Sequence, residues 1–344
     1  MKNLLDKLRD VGNKTILGVG PVSKVTTDVA LDLSKWKKIP IWLIPSRRQV
    51  ECASLGGGYV NGWSTEEFSK YIRERDMDGL VTLVRDHGGP KQGKTYSDDK
   101  EDYSSAITSF NADIDSGFDV LHIDLSNSDL STMSSVLIDL YKKDKENTLY
   151  EVNIDKHSAH LTNVRNFEAW LNDLLPNCNN AKFIAGNTGL FVYEGKNTNL
   201  LDQKTLNGLL ELANKTNTIY MQHNVDYVRD EIFVELNAAG VKIANVAPEY
   251  GLVETKAMLD YMDMFGLDIE KKQFISIVAN SNKWVKWFSH VGNASDLDKC
   301  LVSGHYHFSH PFVVDLRKKY PQMEHVCYNK VQERMCHHLK LLGW

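Results

Sequence analysis

Four residues able to do metal and proton chemistry stand where apolar runs meet polar loops: Asp86 and His87 after one run, Glu151 within another, and His223 at the end of a third. Imidazole and carboxylate donors suit zinc, and also manganese or cobalt. His87, Glu151 and His223 are distant in the chain, so no spacing rule ties them together. Only a fold that gathers strand ends makes them one site. The competing reading of each histidine is a hydrogen-bonded, partly buried loop residue. Asp86 adjoins His87, and a carboxylate beside a metal is placed to act as general acid or base toward a hydroxyl or carbonyl. Its plainer reading is a helix cap or a loop ion pair.

Anion recognition has its own candidates. Arg47 and Arg48 in PSRRQ suit a two-pronged hold on phosphate or carboxylate, against the plain alternative of a solvated pair. Glycines let a backbone approach phosphate closely in Gly56-Gly57-Gly58, Gly88-Gly89 and Gly186-Asn187-Thr188-Gly189, but none is a P-loop or a dinucleotide fingerprint. Gly57, Gly58, Asp124, Asn187 and Asn245 join the arginines as substrate-binding candidates. His305-x-His307-x-x-His310 has the look of a metal cluster. Phe308 inside it and Pro311 after it favour a packed loop away from the strand ends, and Trp284, Trp287 and Phe288 read as a helix-packing stripe.

Eight short apolar runs position these residues: 15–20, 39–44, 80–86, 120–125, 149–152, 181–186, 218–223 and 241–246. Helical stretches over 65–76, 129–142, 164–175, 201–215, 228–239 and 253–265 fall between or after them. Alternation of this kind predicts parallel sheet, and near-continuous apolar strands predict burial on both faces. Eight units fit a closed (β/α)8 TIM barrel better than an open sheet, and such a barrel places its active site at the carboxyl ends of its strands. Residues 91–104 read as a long polar loop over that face. We divide the chain into a barrel over 1–268 and a helical extension over 269–344, packed on the barrel.

Bulk properties narrow the class. With 344 residues the chain has core to spare, and its net charge of −5 offers no footprint for nucleic acid. The five cysteines are scattered without a paired spacing, the N-terminus lacks the apolar core of a signal peptide, and no run approaches a membrane span. The expectation is a cytoplasmic protein with no membrane or nucleic-acid partner.

Several stretches carry a family resemblance. QVECASLGGGYVNGWSTEEFSKYI, Asp86-His87 with Pro90, FDVLHIDLS, Tyr150-Glu151-Val152, QHNVDYVRDE, VKIANVAPEYG and NKVQERMCHHL occur in an order and spacing that are together specific. The chain resembles the so-called non-catalytic subunit of class II tagatose-bisphosphate aldolase and, more distantly, the class II fructose-bisphosphate aldolases, nearly end to end. That resemblance implies Asp86 as the proton-transfer residue, His87 and His223 as ligands of a divalent metal, most simply zinc, and Asn245 as a substrate contact. There are two departures. Gly189 stands near where a further histidine ligand belongs, and Asn224-Val225-Asp226-Tyr227 replaces a Gly-Gly-Ser phosphate loop. Glu151 is a carboxylate able to complete the metal site.

The function expected is a zinc-dependent, class II aldolase-like lyase making or breaking a C–C bond in a ketose or ketose phosphate. The alternatives are a metal-dependent ketose (phosphate) epimerase, and a non-catalytic partner subunit that stabilises a tagatose-bisphosphate aldolase. The partners implied are a sugar or sugar-phosphate substrate and either further copies of the chain or an aldolase subunit.

Overall fold

The computed structural model describes residues 2–94, 98–124, 130–144, 147–154, 160–288 and 294–344. Helix α1 (Lys2–Asp10) precedes β1 (Ile16–Val19), which leads through α2 (Lys24–Lys37) to β2 (Ile41–Leu43). Next come α3 (Thr65–Arg73), β3 (Val81–Gly88), α4 (Asp99–Asp115), β4 (Val120–Ile123), α5 (Leu130–Lys143), β5 (Leu149–Val152), α6 (Val164–Leu174) and β6 (Ala181–Ala185). A small antiparallel hairpin, β7 (Val192–Tyr193) and β8 (Lys196–Asn197), interrupts the alternation. Then α7 (Gln203–Thr216), β9 (Ile219–Gln222), α8 (Asp230–Ala238), β10 (Ile243–Val246) and α9 (Pro248–Met264) complete eight strand–helix units. All strands but β7 and β8 are parallel and close into a barrel in which β10 pairs with β1. The eight strands are those read from the sequence. Leu125, Asp129 and residues 95–97 of the polar loop lie outside the described residues.

Three helical readings change. Helix α2 was hidden by its β-branched start, Val25-Thr26-Thr27, which lowers helix propensity; Ser23 rescues it by accepting a hydrogen bond from the N–H of Thr26. The stretch 91–104 is loop only in its first part. Asp98 caps α4 through the N–H of Lys100, and Asp99, Glu101 and Asp102 lie in its first turn, where negative charge meets the positive helix end. What reads as a polar loop is thus partly an acidic helix start. Helix α9 begins at Pro248, well before residue 253, because proline is favoured in a first helical turn, where its missing N–H costs nothing.

Strand alternation sorts the core into two layers. Inward lie Ile16, Trp42, Ile44, Val84, Val120, Leu149, Phe183, Met221 and Ile243, with Leu8 of α1 closing the floor. Outward lie Leu17, Leu43, Leu83, Leu121, Val152, Ile184 and Ala244, packed under the helices. The inward series turns polar at the top of the barrel, at Asp86, His122, Glu151 and Asn245, with His223 just past β9. Each apolar side chain forgone there would contribute about 1.5–3 kcal/mol on burial. A barrel interior used only for packing would keep that gain, so the polar layer marks function.

Beyond the barrel come α10 (Asp268–Ala279), α11 (Asp296–Ser303), α12 (Pro311–Lys319) and α13 (Pro321–Leu341). Helix α13 packs on α9, α2 and α8. Arg334 and His338 of α13 meet Glu249 and Tyr250 of α9, and Trp344 reaches back to donate to the carbonyl of Thr15 at 2.7 Å. All five cysteines are free, and no helix among the described residues is long and apolar enough to cross a membrane.

Arg85 holds the mouth of the barrel to its outer helices. It points outward from β3, fully buried, and bonds both oxygens of Asp113 at 2.8 and 2.6 Å. It also donates to the carbonyls of Pro45 and Val50 and to Thr65, so one guanidinium ties the loop after β2 to α3 and α4. Removing one member of such a pair strands a buried charge, at about 3–5 kcal/mol. Asp113→Ala should lower the unfolding free energy in urea by that amount, whereas breaking the exposed Lys38–Asp78 pair should leave the transition midpoint where it is.

Candidate active site

A cavity of about 210 Å3 opens over the polar layer, bordered by Asp86, His87, His223 and Asn245. Asp86 and His87 are neighbours, and in a regular strand one would face out. A β-bulge changes this. Arg85 and Gly88 of β3 pair with Leu121 and Ile123 of β4, leaving one extra residue on β3, and His87 takes φ +45°. That left-handed conformation costs a non-glycine residue about 1–3 kcal/mol and swings the imidazole to the side of Asp86. The hydrogen bond from His87 Nδ1 to Asp124, 2.6 Å long, helps to hold it there.

Three imidazoles form a triangle. Ring centres lie 5.4 Å apart for His87 and His122, 5.7 Å for His87 and His223, and 5.0 Å for His122 and His223. The Asp86 carboxylate sits among them, with Oδ2 3.6 Å from His87 Nε2 and Oδ1 3.6 Å from His122 Nδ1 and 3.7 Å from His223 Nδ1. Two further carboxylates stand behind the rings. Asp124 binds His87 Nδ1, and Glu151 binds His223 Nε2 at 2.7 Å, so each of these two rings turns its other nitrogen toward Asp86. This is the carboxylate–imidazole arrangement that orients metal-ligating histidines.

The charges reinforce one another. Burial alone would raise the Asp86 carboxyl, but the fields of His87, His223 and His122 outweigh it and hold it at about 2. Burial opposes charge on His87, yet Asp86 and Asp124 lift it to about 10. His122 is raised against its burial by Glu151, Asp86 and Asp124, and Glu151 is lowered against its own burial by His122 and His223.

Four buried polar atoms of this layer have no hydrogen-bond partner among the described residues: Asp86 Oδ1, His122 Nε2, Glu151 Oε2 and Asn245 Oδ1. Each such atom costs about 1–3 kcal/mol. Donor atoms of Asp86, His122 and His223 lie within 4.8 Å of one another, as do those of His87, His122 and Asp124. Asp86 Oδ1 lies 3.6 and 3.7 Å from the nitrogens of His122 and His223, so a carboxylate able to hold a proton stands beside these donors. By donor type, spacing and orphaned atoms the residues fit a divalent cation.

The sequence-derived residues separate into groups. Asp86, His87, His223 and Asn245 come together at the cavity, while Glu151 is wholly buried behind His223 and Asp124 behind His87. Neither Glu151 nor Asp124 borders the cavity. Asn245 requires Gly18 opposite it: a Cβ there would lie 2.1 Å from Asn245 Oδ1. Asn187 donates to the carbonyl of His160 and borders a separate depression with Gly189 and Phe191. Arg47 is buried and engaged with Glu51, the carbonyl of Gly89 and Ser105; Arg48 is exposed and lines the cavity. Gly58 packs against the backbone of Gln49, where a Cβ would lie 2.0 Å from its carbonyl oxygen, and Gly57 borders a neighbouring cleft. The loop that follows His223 is fastened through Asp226, which accepts from the N–H groups of Ala247 and Glu249.

Sequence reasoning passed over His122, although it shares the inward parity of Val120 on β4. It also placed the His305 segment away from the strand ends. The structure corrects this: Lys286, Trp287, His305 and Tyr306 roof the same cavity as Asp86 and His223. Close approach to α9 makes the roof possible, since a Cβ on Gly251 would meet the His305 ring at 2.7 Å. Burial, then the charge of Lys286, holds His305 down at about 3, so it stays neutral. His310 lies outside the roof and caps α12 by accepting from the N–H of Phe312. Trp284 and Phe288 do pack edge to face, but Trp287 borders the cavity instead of belonging to a packing stripe.

No protein-family model matches the sequence, and no curated protein matches it either. Solved structures do match in fold. A probable tagatose 6 phosphate kinase from Sinorhizobium meliloti 1021 superposes with a TM-score of 0.74 at 14% identity, covering 95% of this chain and 100% of that one. The YdjI aldolase from Escherichia coli K12 gives 0.61 at 12% identity, over 99% of this chain and 96% of that one. The fructose-bisphosphate aldolase of Campylobacter jejuni gives 0.61 at 13% identity, over 99% and 93%. At such identities the likeness establishes a shared fold alone; this chain folds as a (β/α)8 barrel with a helical C-terminal region.

Proposed function

We propose that this chain is a metal-dependent carbohydrate enzyme that breaks or forms a C–C bond in a ketose or ketose phosphate by class II aldolase-like chemistry. The observation that carries the reading is the Asp86 carboxylate at the floor of the cavity, with one nitrogen from each of three histidines 3.6–3.7 Å away. His87, His122 and His223 would hold a divalent ion, most simply zinc, at that junction, with Glu151 and Asp124 fixing two of the rings from behind. His122 thereby takes the place first given to Glu151. The aldolase names of two fold neighbours, from Escherichia coli and Campylobacter jejuni, agree with this chemistry.

When bound, the ion supplies a Lewis acid for a substrate carbonyl. The chain's own residues do the rest. Aldol cleavage takes the proton from the hydroxyl β to the carbonyl, breaks the C–C bond between them, and leaves an electron pair on the α-carbon that must regain a proton. Asp86 is suited to carry that proton out and back, because it alone of the three carboxylates faces the cavity. Asn245, beside His223, orients the substrate. His305, neutral and buried in the roof, offers hydrogen bonding to sugar hydroxyls and helps exclude water.

Elemental analysis after soaking in zinc or manganese should find metal in the wild-type protein and little in His122→Ala or His223→Ala. A wild-type protein that takes up none sinks the enzyme reading in favour of a partner subunit. Asp86→Asn should keep its metal and lose about 10²–10⁴-fold in kcat on the ketose substrate found by screening. Product analysis in that screen separates cleavage from epimerisation. Glu151→Gln should fold normally and bind the metal about 10–100-fold more weakly, as expected for a group that orients a ligand; unchanged affinity would detach Glu151 from the site.

A further inference from the structure

Beside the cavity lies a second cleft of about 580 Å3. Arg48, Tyr59, Lys286 and Tyr306 border both, so the two spaces meet at a waist made of two cations and two aromatic rings. The cleft's lining holds five basic side chains, Arg47, Arg48, Lys94, Lys283 and Lys286, against one carboxylate, Glu51. That carboxylate is spent: its oxygens accept from Arg47 Nε at 2.8 Å and from the N–H of Cys52 at 2.9 Å.

We propose that this cleft is the phosphate subsite of the enzyme, in which Arg48 from the end of β2 and Lys283 and Lys286 from the C-terminal extension grip the phosphate of a sugar phosphate whose carbonyl end reaches Asp86. The choice of a sugar phosphate rests on the function proposed above; the phosphate site itself does not.

Three observations converge on it. First, among the described residues no carboxylate pairs with Arg48, Lys283 or Lys286, although the chain carries a net charge of −5 and its other lysines commonly find acidic partners. A surplus of one sign, local and unneutralised, focuses an opposite charge. Second, the ammonium groups are set on aromatic faces. Lys286 Nζ lies 4.6 Å from the Trp287 ring centre and 5.2 Å from that of Tyr306, and Lys283 Nζ lies 5.7 Å from Tyr306. Such contacts fix the direction of a lysine that would otherwise wander in solvent. Third, the cations repel one another. Crowding by neighbouring groups and then the charge of Arg48 lower Lys286, and Lys283 is lowered by its surroundings, Lys286 and Arg48, although all three side chains remain exposed. An anion bound between them relieves that repulsion.

Charge and geometry point to phosphate in preference to carboxylate. A carboxylate is satisfied by one guanidinium fork, whereas a phosphate carries up to two negative charges and three terminal oxygens and uses several donors at once. The loop after His223 is tied back by Asp226 to α9, and phosphate recognition falls to side chains, one of them, Lys286, from the roof.

The test is calorimetric titration of the full chain with inorganic phosphate, in chelator so that no metal contributes. Saturable binding is expected, weakened at least tenfold by Arg48→Ala or by Lys283→Ala with Lys286→Ala, and unaltered by His223→Ala. These positions are on the surface, and circular dichroism checks that each variant folds. Absence of saturable binding, or binding that survives both basic substitutions, overturns the subsite. Fructose 6-phosphate is then compared with fructose and with phosphate alone. Tighter binding than either supports a substrate subsite; binding no tighter than phosphate overturns the link to the cavity. A chain that binds phosphate but takes up no metal keeps the subsite and loses the aldolase reading, so the two fail separately.

Discussion

A closed barrel of parallel strands leaves half of each strand's side chains facing a space that only they can fill. In this chain the lower part of that space is packed with Trp42, Phe183, Met221 and their neighbours, and the upper layer is given to His122, Glu151, Asn245 and Asp86. Closure makes the arrangement exacting. A strand that slips by one residue would bury its outer face in the barrel and turn its polar residue toward the helices. The packing of the lower layers thus fixes where the site residues point, and an irregularity, the bulge of β3, is what adds His87 to the same centre.

Carboxylates in this centre stand at two depths. Asp124 and Glu151 are fully buried and each holds one imidazole nitrogen; Asp86 lies nearer the opening and, among the described residues, accepts no hydrogen bond at Oδ1. The buried pair does not border the cavity, but it decides which nitrogen of His87 and of His223 turns toward Asp86. The carboxylate that remains exposed to the cavity is the one whose charge the three rings stabilise most directly. Position, more than residue type, separates the two roles.

Much of this was legible from residue order. The eight strands, the parallel sheet and the gathering of Asp86, His87, His223 and Asn245 follow from apolar runs and from what stands at their ends. His122 was legible in principle, since Val120 sets the parity of β4, but attention to terminal residues passed over it. Arg47 and Arg48 show a harder limit. Identical side chains one step apart differ only in which way the backbone turns, and that is decided by Glu51, Gly89 and Ser105, all outside the dipeptide. The roof was unreadable for a related reason: nothing local to His305 says that α9 will receive it through the space left at Gly251.

Because β1 pairs with β10, the first barrel strand made waits for the last. Ile16 and Ile243 are register partners, and at a synthesis rate of about 5–20 residues per second the ribosome needs on the order of 10–45 s to travel between them. Through that interval β1 presents one edge with nothing to pair, and the nascent sheet is open and able to capture another chain. Helix α13, which packs on α2 and whose neighbour Trp344 bonds Thr15 just before β1, arrives later still. Among the strand pairings of the barrel this seam is therefore the last that synthesis permits, and during synthesis the edge that a chaperone would have most to protect.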